Sequence, residues 1–355
     1  MINTSTMELL LEQFKSKKPY VIYSLPNSTE ITTILQEDDA YYNPEDFYER
    51  AFVFCPFSEE AKRYCIPKEH AKVIKQDITF QEQKLDEVVV KEAAETKEAY
   101  ISLLQRTIDV IHNRKAKKIV MSRKASFPIT GANPEKVLKR LFFIYPNAFR
   151  YVWYHPDTGV WCGVTPELLM RKSDNGFKTM AVAGTKSNDL ETRVEWTQKE
   201  RDEHQYVVDD IVKKLQSVFS VIKVSKPQNH AAGPVVHLRT DIEGAIKKGK
   251  LSLTELASRL HPTSAICGTP RNAARQFIEA NEGYDREFYA GFLGPLKEND
   301  QDSYMFVNLR CAKILKDRAE IFVGGGITKD SSPEAEWEET QNKMQTMLGV
   351  LQPFL

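Results

Sequence analysis

The sequence predicts an α+β fold built on antiparallel sheets. Two observations carry this. Apolar runs of strand length follow one another with only turns between them, most densely over residues 149–183 and 288–324. Helical periodicities fall between these groups and do not alternate strictly with single strands, which argues against a doubly wound parallel sheet.

Tyr20–Leu25 and Ala51–Phe57 are short apolar runs bounded by Pro, Asn and Ser, and read as strands joined by loops. A charged stretch from Gln81 to Glu98, interrupted by Val88–Val90, marks the weakest boundary. Residues 1–95 are therefore expected to add strands to the fold formed by residues 96–355. From Lys97 onward, Tyr100, Leu103, Leu104, Ile108 and Ile111 fall on one helical face. Residues 117–127 alternate as a strand, and Val137–Ile144 reads as a helix. Phe149–Trp153, Val160–Gly163, Leu168–Arg171 and Thr179–Ala183 follow as strands. Gln198–Phe219 reads as one long amphipathic helix with Val207, Val208, Ile211, Val212 and Leu215 inward. Val236–Ile242 is then a strand, and Leu251–Leu260 and Asn272–Ala280 are helices. Phe288–Leu293, Ser303–Leu315 and Ala319–Gly324 read as three more strands. Pro333–Leu351 is the last helix. Ser332 is placed to cap it, and Pro333 suits the first helical position, where a missing N–H costs nothing.

Composition narrows the function. The chain has 355 residues, 41% of them apolar, enough for a sizeable core. Lys+Arg and Asp+Glu both number 49, so no net field favours nucleic acid or an anionic membrane. Five cysteines are scattered without a C-x-x-C pair, which argues against a disulfide framework or zinc site and fits a reducing compartment. No run approaches the roughly 18 apolar residues that span a bilayer. The N-terminal segment lacks the apolar stretch of a signal peptide, so the expected location is cytoplasmic.

Several local constellations could carry chemistry. Glu200 and Glu203, and again Glu336 and Glu339, stand at i, i+3 on a helix, with both carboxylates of each pair on one face. If the helices meet, four carboxylates converge and call for a hard cation such as Mg²⁺. The same spacing is ordinary on a solvated helix face. Gly324-Gly325-Gly326 precedes the last helix; it could admit a ligand close to the backbone or form a plain tight turn. Lys343 lies one turn beyond Glu339, placed either for an anionic ligand or for a surface ion pair. Lys118 shares a strand face with Val120 and Ser122. A buried ammonium is disfavoured, so a lysine there can serve as a base, but the pattern equally suits an edge-strand lysine. Glu167, just before two leucines, suits either a protonated acid or a solvated loop. His204, His237 and His261 have no metal-binding spacing, and each alone suits a structural role.

The segments KIVMSRK, GVTPELLMR, AVAGTKS, KERDEHQYVVDDI, LHPTSAICGTPR, YDREFYAGFLGPL, FVNLRCAKI and FVGGGITKDSSPEAEWEETQNKM together resemble the chorismate-utilising enzymes. That family includes isochorismate, salicylate, anthranilate and aminodeoxychorismate synthases. The likeness covers roughly residues 97 to 353. It implies two large antiparallel sheets packed face to face and flanked by helices, with the active site between them, in a chorismate-binding catalytic domain.

The resemblance also implies site roles. One Mg²⁺ would bridge the substrate to Glu203 and Glu339, with Glu200 and Glu336 as further carboxylates of the metal site. Arg310 and Lys343 would hold the substrate's carboxylates. The backbones of Gly184, Thr185, Gly324 and Gly325 would approach it closely, and His261, Ala265 and Tyr289 would complete the pocket. Family members that add ammonia carry Gln where Lys118 stands, and members that add water carry Lys. A branch that forms a covalent bond carries Lys where this chain has Ala183. With Lys118 as base and Glu167 as acid, the resemblance is to isochorismate synthases, and Leu260-His261-Pro262-Thr263 fits them better than salicylate synthases. Salicylate formation, or a silent chorismate-binding homologue, are the competing expectations. The chain departs from the common pattern at Ser264, where Pro is usual, and in a short N-terminal region. A monomer with no glutaminase subunit is expected.

Overall fold

Most strands of this chain are apolar on both sides, so each sheet needs a partner layer on each face. The computed structural model describes residues 2–355 apart from 45–49, 79–87, 91, 132–133, 174–175, 188–193, 233–234, 247–252 and 300. Part of the charged stretch after Gln81, and Leu251, thus lie outside the described residues.

In chain order the helices are α1 (Thr4–Lys15), α2 (Ala94–His112), α3 (Pro134–Ile144), α4 (Gln198–Gln216), α5 (Leu253–Leu260), α6 (Arg271–Asn281) and α7 (Pro333–Leu351). The early strands are β1 (Tyr20–Ser24), β2 (Glu30–Gln36), β3 (Ala51–Cys55), β4 (Tyr64–Pro67) and β5 (Ala71–Asp77). Then come β6 (Lys118–Pro128), β7 (Phe149–His155), β8 (Gly159–Thr165), β9 (Leu168–Lys172) and β10 (Gly176–Ser187). They are followed by β11 (Phe219–Val224), β12 (Gln228–Ala232) and β13 (Val235–Ile246). The last are β14 (Gly268–Thr269), β15 (Phe292–Pro295), β16 (Ser303–Val307), β17 (Cys311–Ile314) and β18 (Arg318–Ile327).

Among the described residues these strands form two sheets of nine. The first runs β14-β6-β18-β17-β8-β7-β1-β2-β5. The second runs β11-β13-β10-β9-β16-β15-β3-β4, with β12 beside β13. The pairings are antiparallel. The inner faces of the two sheets share one core. Aromatic rings bridge it: Phe149 of β7 stacks on Phe306 of β16 at 4.2 Å, and Phe54 of β3 meets Trp153 of β7 at 4.9 Å. Each such buried ring contributes about 2–3 kcal/mol from apolar burial. A second core covers the outer face of the first sheet with α1, α3 and the end of α7. Strands β1–β5 are divided between the sheets, three in the first and two in the second.

Several expectations need correction. Ser303–Leu315 is two strands, β16 and β17, in different sheets, broken at Asn308-Leu309-Arg310. Arg310 has φ 47°, a left-handed conformation that ends β pairing. Phe288–Ala290 is a turn, and the strand there is Phe292–Pro295. The helix from Gln198 stops at Gln216, and Phe219 begins a strand. Ser332 occupies the N-cap position of α7 without making the side-chain cap; its hydroxyl donates to Glu334 at 3.3 Å. Helix α1 and strands β2, β4, β5, β11, β12 and β14 were not read from the sequence.

Candidate active site

Two places where the chain passes between the sheets lie side by side. At Pro166–Glu167 it leaves β8 of the first sheet for β9 of the second; at Asn308–Arg310 it returns from β16 to β17. Backbone bonds tie the two together: Val307 N–H donates to the Glu167 carbonyl and Val164 N–H to the Arg310 carbonyl, both at 3.0 Å. Thr165 Oγ1 also donates to the Val307 carbonyl at 2.6 Å. A cleft opens here, lined from both sheets and from α4 and α7.

Lys118, Glu167, Gly184, Thr185, Glu203, Ala265, Tyr289, Arg310, Gly324, Gly325 and Lys343 all line this cleft. Lys118, at the start of β6, is 1% exposed, and its ammonium is 3.0 Å from Glu203 on α4. Glu167 is buried, and burial pushes its carboxyl up to about 7 against the opposing pull of Lys118, Lys343 and Arg310. It is thus held as a proton donor near neutral pH. Burial brings the Arg310 guanidinium down to about 10, so it remains a cation. Lys343 Nζ bonds Glu339 at 2.6 Å and the Gly324 carbonyl at 2.9 Å. Three cations around one cleft with a protonated acid make it suited to an anionic ligand.

Gly184 sits in a β-bulge of β10 at φ 72°, a conformation natural to glycine. Its carbonyl meets His237 Nδ1 at 3.1 Å, while His237 Nε2 lies 3.1 Å from Arg310. Burial and the adjacent guanidinium hold this imidazole well below the usual range, hence neutral. It accepts from Arg310 at Nε2 and donates to Gly184 at Nδ1, fixing the guanidinium in the cleft. No spacing distinguishes His237 from the other histidines; its partners come from elsewhere in the chain.

Two expected residues are placed differently. His261 does not line the cleft. It stands behind the wall, with Nε2 3.0 Å from the carbonyl of Ala290, which does line it. Glu200 turns back on its own helix. Its carboxylate accepts from Thr197 N–H at 2.8 Å and from the Thr197 hydroxyl, closing the N-terminus of α4 as a capping box.

The remaining carboxylates bear on metal binding. Among the described residues no three acidic, imidazole or thiol groups close on one point as a finished cage. Glu203, Glu336 and Glu339 are instead each turned to a lysine. They nevertheless surround one backbone segment. A Cβ built on Gly326 would lie 2.2 Å from Glu203 Oε1, and one on Gly325 would lie 3.1 Å from Glu336 Oε2 and 3.3 Å from Glu339 Oε1. The glycines keep open a space beside these carboxylate oxygens, and hard oxygen donors suit Mg²⁺ rather than a softer metal.

Residues 52–352 match the model of a protein family described as chorismate binding enzyme. The chain belongs to that family. It is 32% identical over 273 residues to the isochorismate synthase EntC of Escherichia coli, covering 74% of this chain and 69% of that protein. The structure of DhbC from Bacillus anthracis superposes with a TM-score of 0.80 at 24% identity, covering 97% of this chain and 99% of that one. Anthranilate synthase component I from Streptococcus pneumoniae superposes with a TM-score of 0.70 at 18% identity, covering 93% and 92%. Both solved structures thus share the fold of this chain. No helix among its described residues is long and apolar enough to cross a membrane.

Proposed function

We propose that this chain is a Mg²⁺-dependent isochorismate synthase, an isomerase acting on chorismate. The observation that carries the reading is a single cleft holding Lys118 and a protonated Glu167 beside Arg310 and Lys343. Chorismate is a dicarboxylate, and the guanidinium and ammonium supply its counter-charges. Lys118 enters from the first sheet. Glu167 comes from the crossing to the second.

Lys118 is the base of this reaction: it takes a proton from water, and the water oxygen bonds to ring C2. The ring double bonds shift and the C4–O bond breaks. Glu167 gives its proton to the departing hydroxyl, so one water enters and one leaves. Glu203, Glu336 and Glu339 would hold Mg²⁺, which neutralises substrate charge and serves as a template. Ala183 leaves no lysine for a covalent route, and Lys118 in place of Gln favours water over ammonia, so no glutaminase subunit is required. The chain is taken to act as a soluble monomer in the cytoplasm.

The test is incubation of purified protein with chorismate, with and without Mg²⁺, and identification of the product by mass and ultraviolet spectrum. Isochorismate formed only with Mg²⁺ is the expected result. Salicylate and pyruvate as main products would move the assignment to salicylate synthase. Chorismate binding with no turnover would make the chain a silent homologue.

A further inference from the structure

Each of the three clustered glutamates has its own lysine. Lys118 Nζ lies 3.0 Å from Glu203, Lys343 Nζ 2.6 Å from Glu339, and Lys199 Nζ 2.7 Å from Glu336. Lys118 and Lys343 line the cleft and have roles in the proposed reaction, but Lys199 does not line it. Lys199 stands in the first turn of α4, one residue before Glu200, and reaches across to α7. Its side chain is 25% exposed, whereas that of Lys118 is 1% exposed. Glu336 is 2% exposed and also accepts from Ser331 Oγ at 2.7 Å.

A buried carboxylate without a counter-charge is costly, and neighbouring carboxylates add repulsion. The lysines offset that cost while no cation is present. A divalent cation on the same carboxylates, reached at Glu336 through Oε2 while Lys199 holds Oε1, supplies the counter-charge itself and repels an ammonium beside it. A contact made only in the cation-free state weakens cation binding, because the cation must overcome it. Lys199 alone of the three has both a partly exposed stem and no other task in the cleft. Its compact charge sits on a flexible stem that can move away from Glu336.

We propose that Lys199 is a tethered competitor of the divalent cation: it holds Glu336 in place while the site lacks a cation, and it swings out to solvent when one binds. The proposal rests on the metal reading above and adds the residue that sets the site's affinity.

The test needs no turnover. Mg²⁺ is titrated by calorimetry into the metal-stripped full-length chain, and thermal midpoints are recorded with and without Mg²⁺. Lys199→Met removes the charge at similar volume. It is expected to bind Mg²⁺ roughly tenfold more tightly, to melt lower than wild type without cation, and to recover much of that loss with it. Lys199→Arg, which keeps the charge, is expected to stay within about twofold of wild type. Labelling of wild-type Lys199 by an amine-acylating reagent, read by peptide mass spectrometry, is expected to speed up severalfold on adding Mg²⁺. This second measurement stands even if Lys199→Met fails to fold. Equal or weaker Mg²⁺ binding by a folded Lys199→Met, or Lys199 labelling that Mg²⁺ leaves unchanged or slows, overturns the proposal. A wild-type chain that takes up no Mg²⁺ overturns the metal reading itself, and the competitor role with it.

Discussion

Lys118 and Glu203 form a buried ion pair, 3.0 Å apart, between the first residue of β6 and the second turn of α4. The pair joins the proposed base to a proposed metal ligand. Lys118→Ala is expected to lower isochorismate formation by about 10²–10⁴-fold, the usual worth of a positioned general base. Chorismate binding, measured by calorimetry with Mg²⁺ present, should persist. Undiminished turnover would remove the base assignment.

Glu167 makes the reaction sensitive to pH. Its carboxyl is raised to about 7, so the acid form declines as pH rises through that value, and kcat should fall with it. Stability carries the same sign. A carboxyl raised on folding favours the folded state fully below its unfolded pKa, and that contribution fades as pH climbs through about 7. The loss is on the order of 3 kcal/mol at most. Glu336, raised to about 7 chiefly by burial and then by Glu339, titrates over the same range, so the informative quantity is a difference. Glu167→Gln should flatten the stability profile between pH 4.5 and 7 relative to wild type in urea unfolding, and should lower kcat by about 10²-fold or more.

Substitutions in the glycine run should be graded. An alanine methyl at Gly325 would meet carboxylate oxygens at 3.1 and 3.3 Å, a gap that side-chain movement relieves. At Gly326 it would lie 2.2 Å from Glu203 Oε1 and 2.6 Å from Lys118 Cε. Gly326→Ala should therefore abolish Mg²⁺ uptake and turnover, while Gly325→Ala weakens Mg²⁺ binding by about tenfold. Calorimetric titration of both variants decides the order.

On the far side of α7, Arg123 donates to Glu92 at 2.6 and 3.2 Å and to Thr340 Oγ1 at 2.9 Å, and its guanidinium lies 4.1 Å from the centre of the Trp337 ring. Both charged side chains are nearly buried. Arg123→Ala leaves Glu92 without its counter-charge, with only the Gln341 amide donating to it at 2.7 Å, and should cost about 3 kcal/mol in chemical denaturation. Replacing both partners with apolar residues of similar volume should cost much less.

Much of the scaffold was legible because its strands are apolar and its long helices amphipathic. Strands near residues 149–183 were read within a few residues of their observed ends. β5 was missed because its sequence, AKVIKQD, lies at a sheet edge and is largely exposed, leaving no apolar run to detect. The crossing at Asn308–Arg310 was missed because apolar residues continue on either side of it, and nothing in local pattern tells a strand that changes sheets from one that continues. The site showed a similar division. Lys118, Glu167 and the glutamate pairs were marked by segments that resemble a family, whereas periodicity alone left each with an ordinary alternative. Glu200 and Glu203 share a helix face by spacing, yet the N-terminus of α4 claims the first carboxylate and the cleft receives the second. His237 owes its position by Arg310 to β13, a tertiary placement no spacing rule contains.

Arg310 bends the chain from one sheet to the other in a left-handed conformation, and its side chain is also a counter-charge of the cleft. For an engineer seeking a hardier protein, position 310 is a trap. Glycine there would relax the backbone by about 1 kcal/mol, but it would strip out a buried side chain together with its bonds to His237 and to the Lys343 carbonyl. The easier turn would come with an emptied wall that no longer grips its ligand.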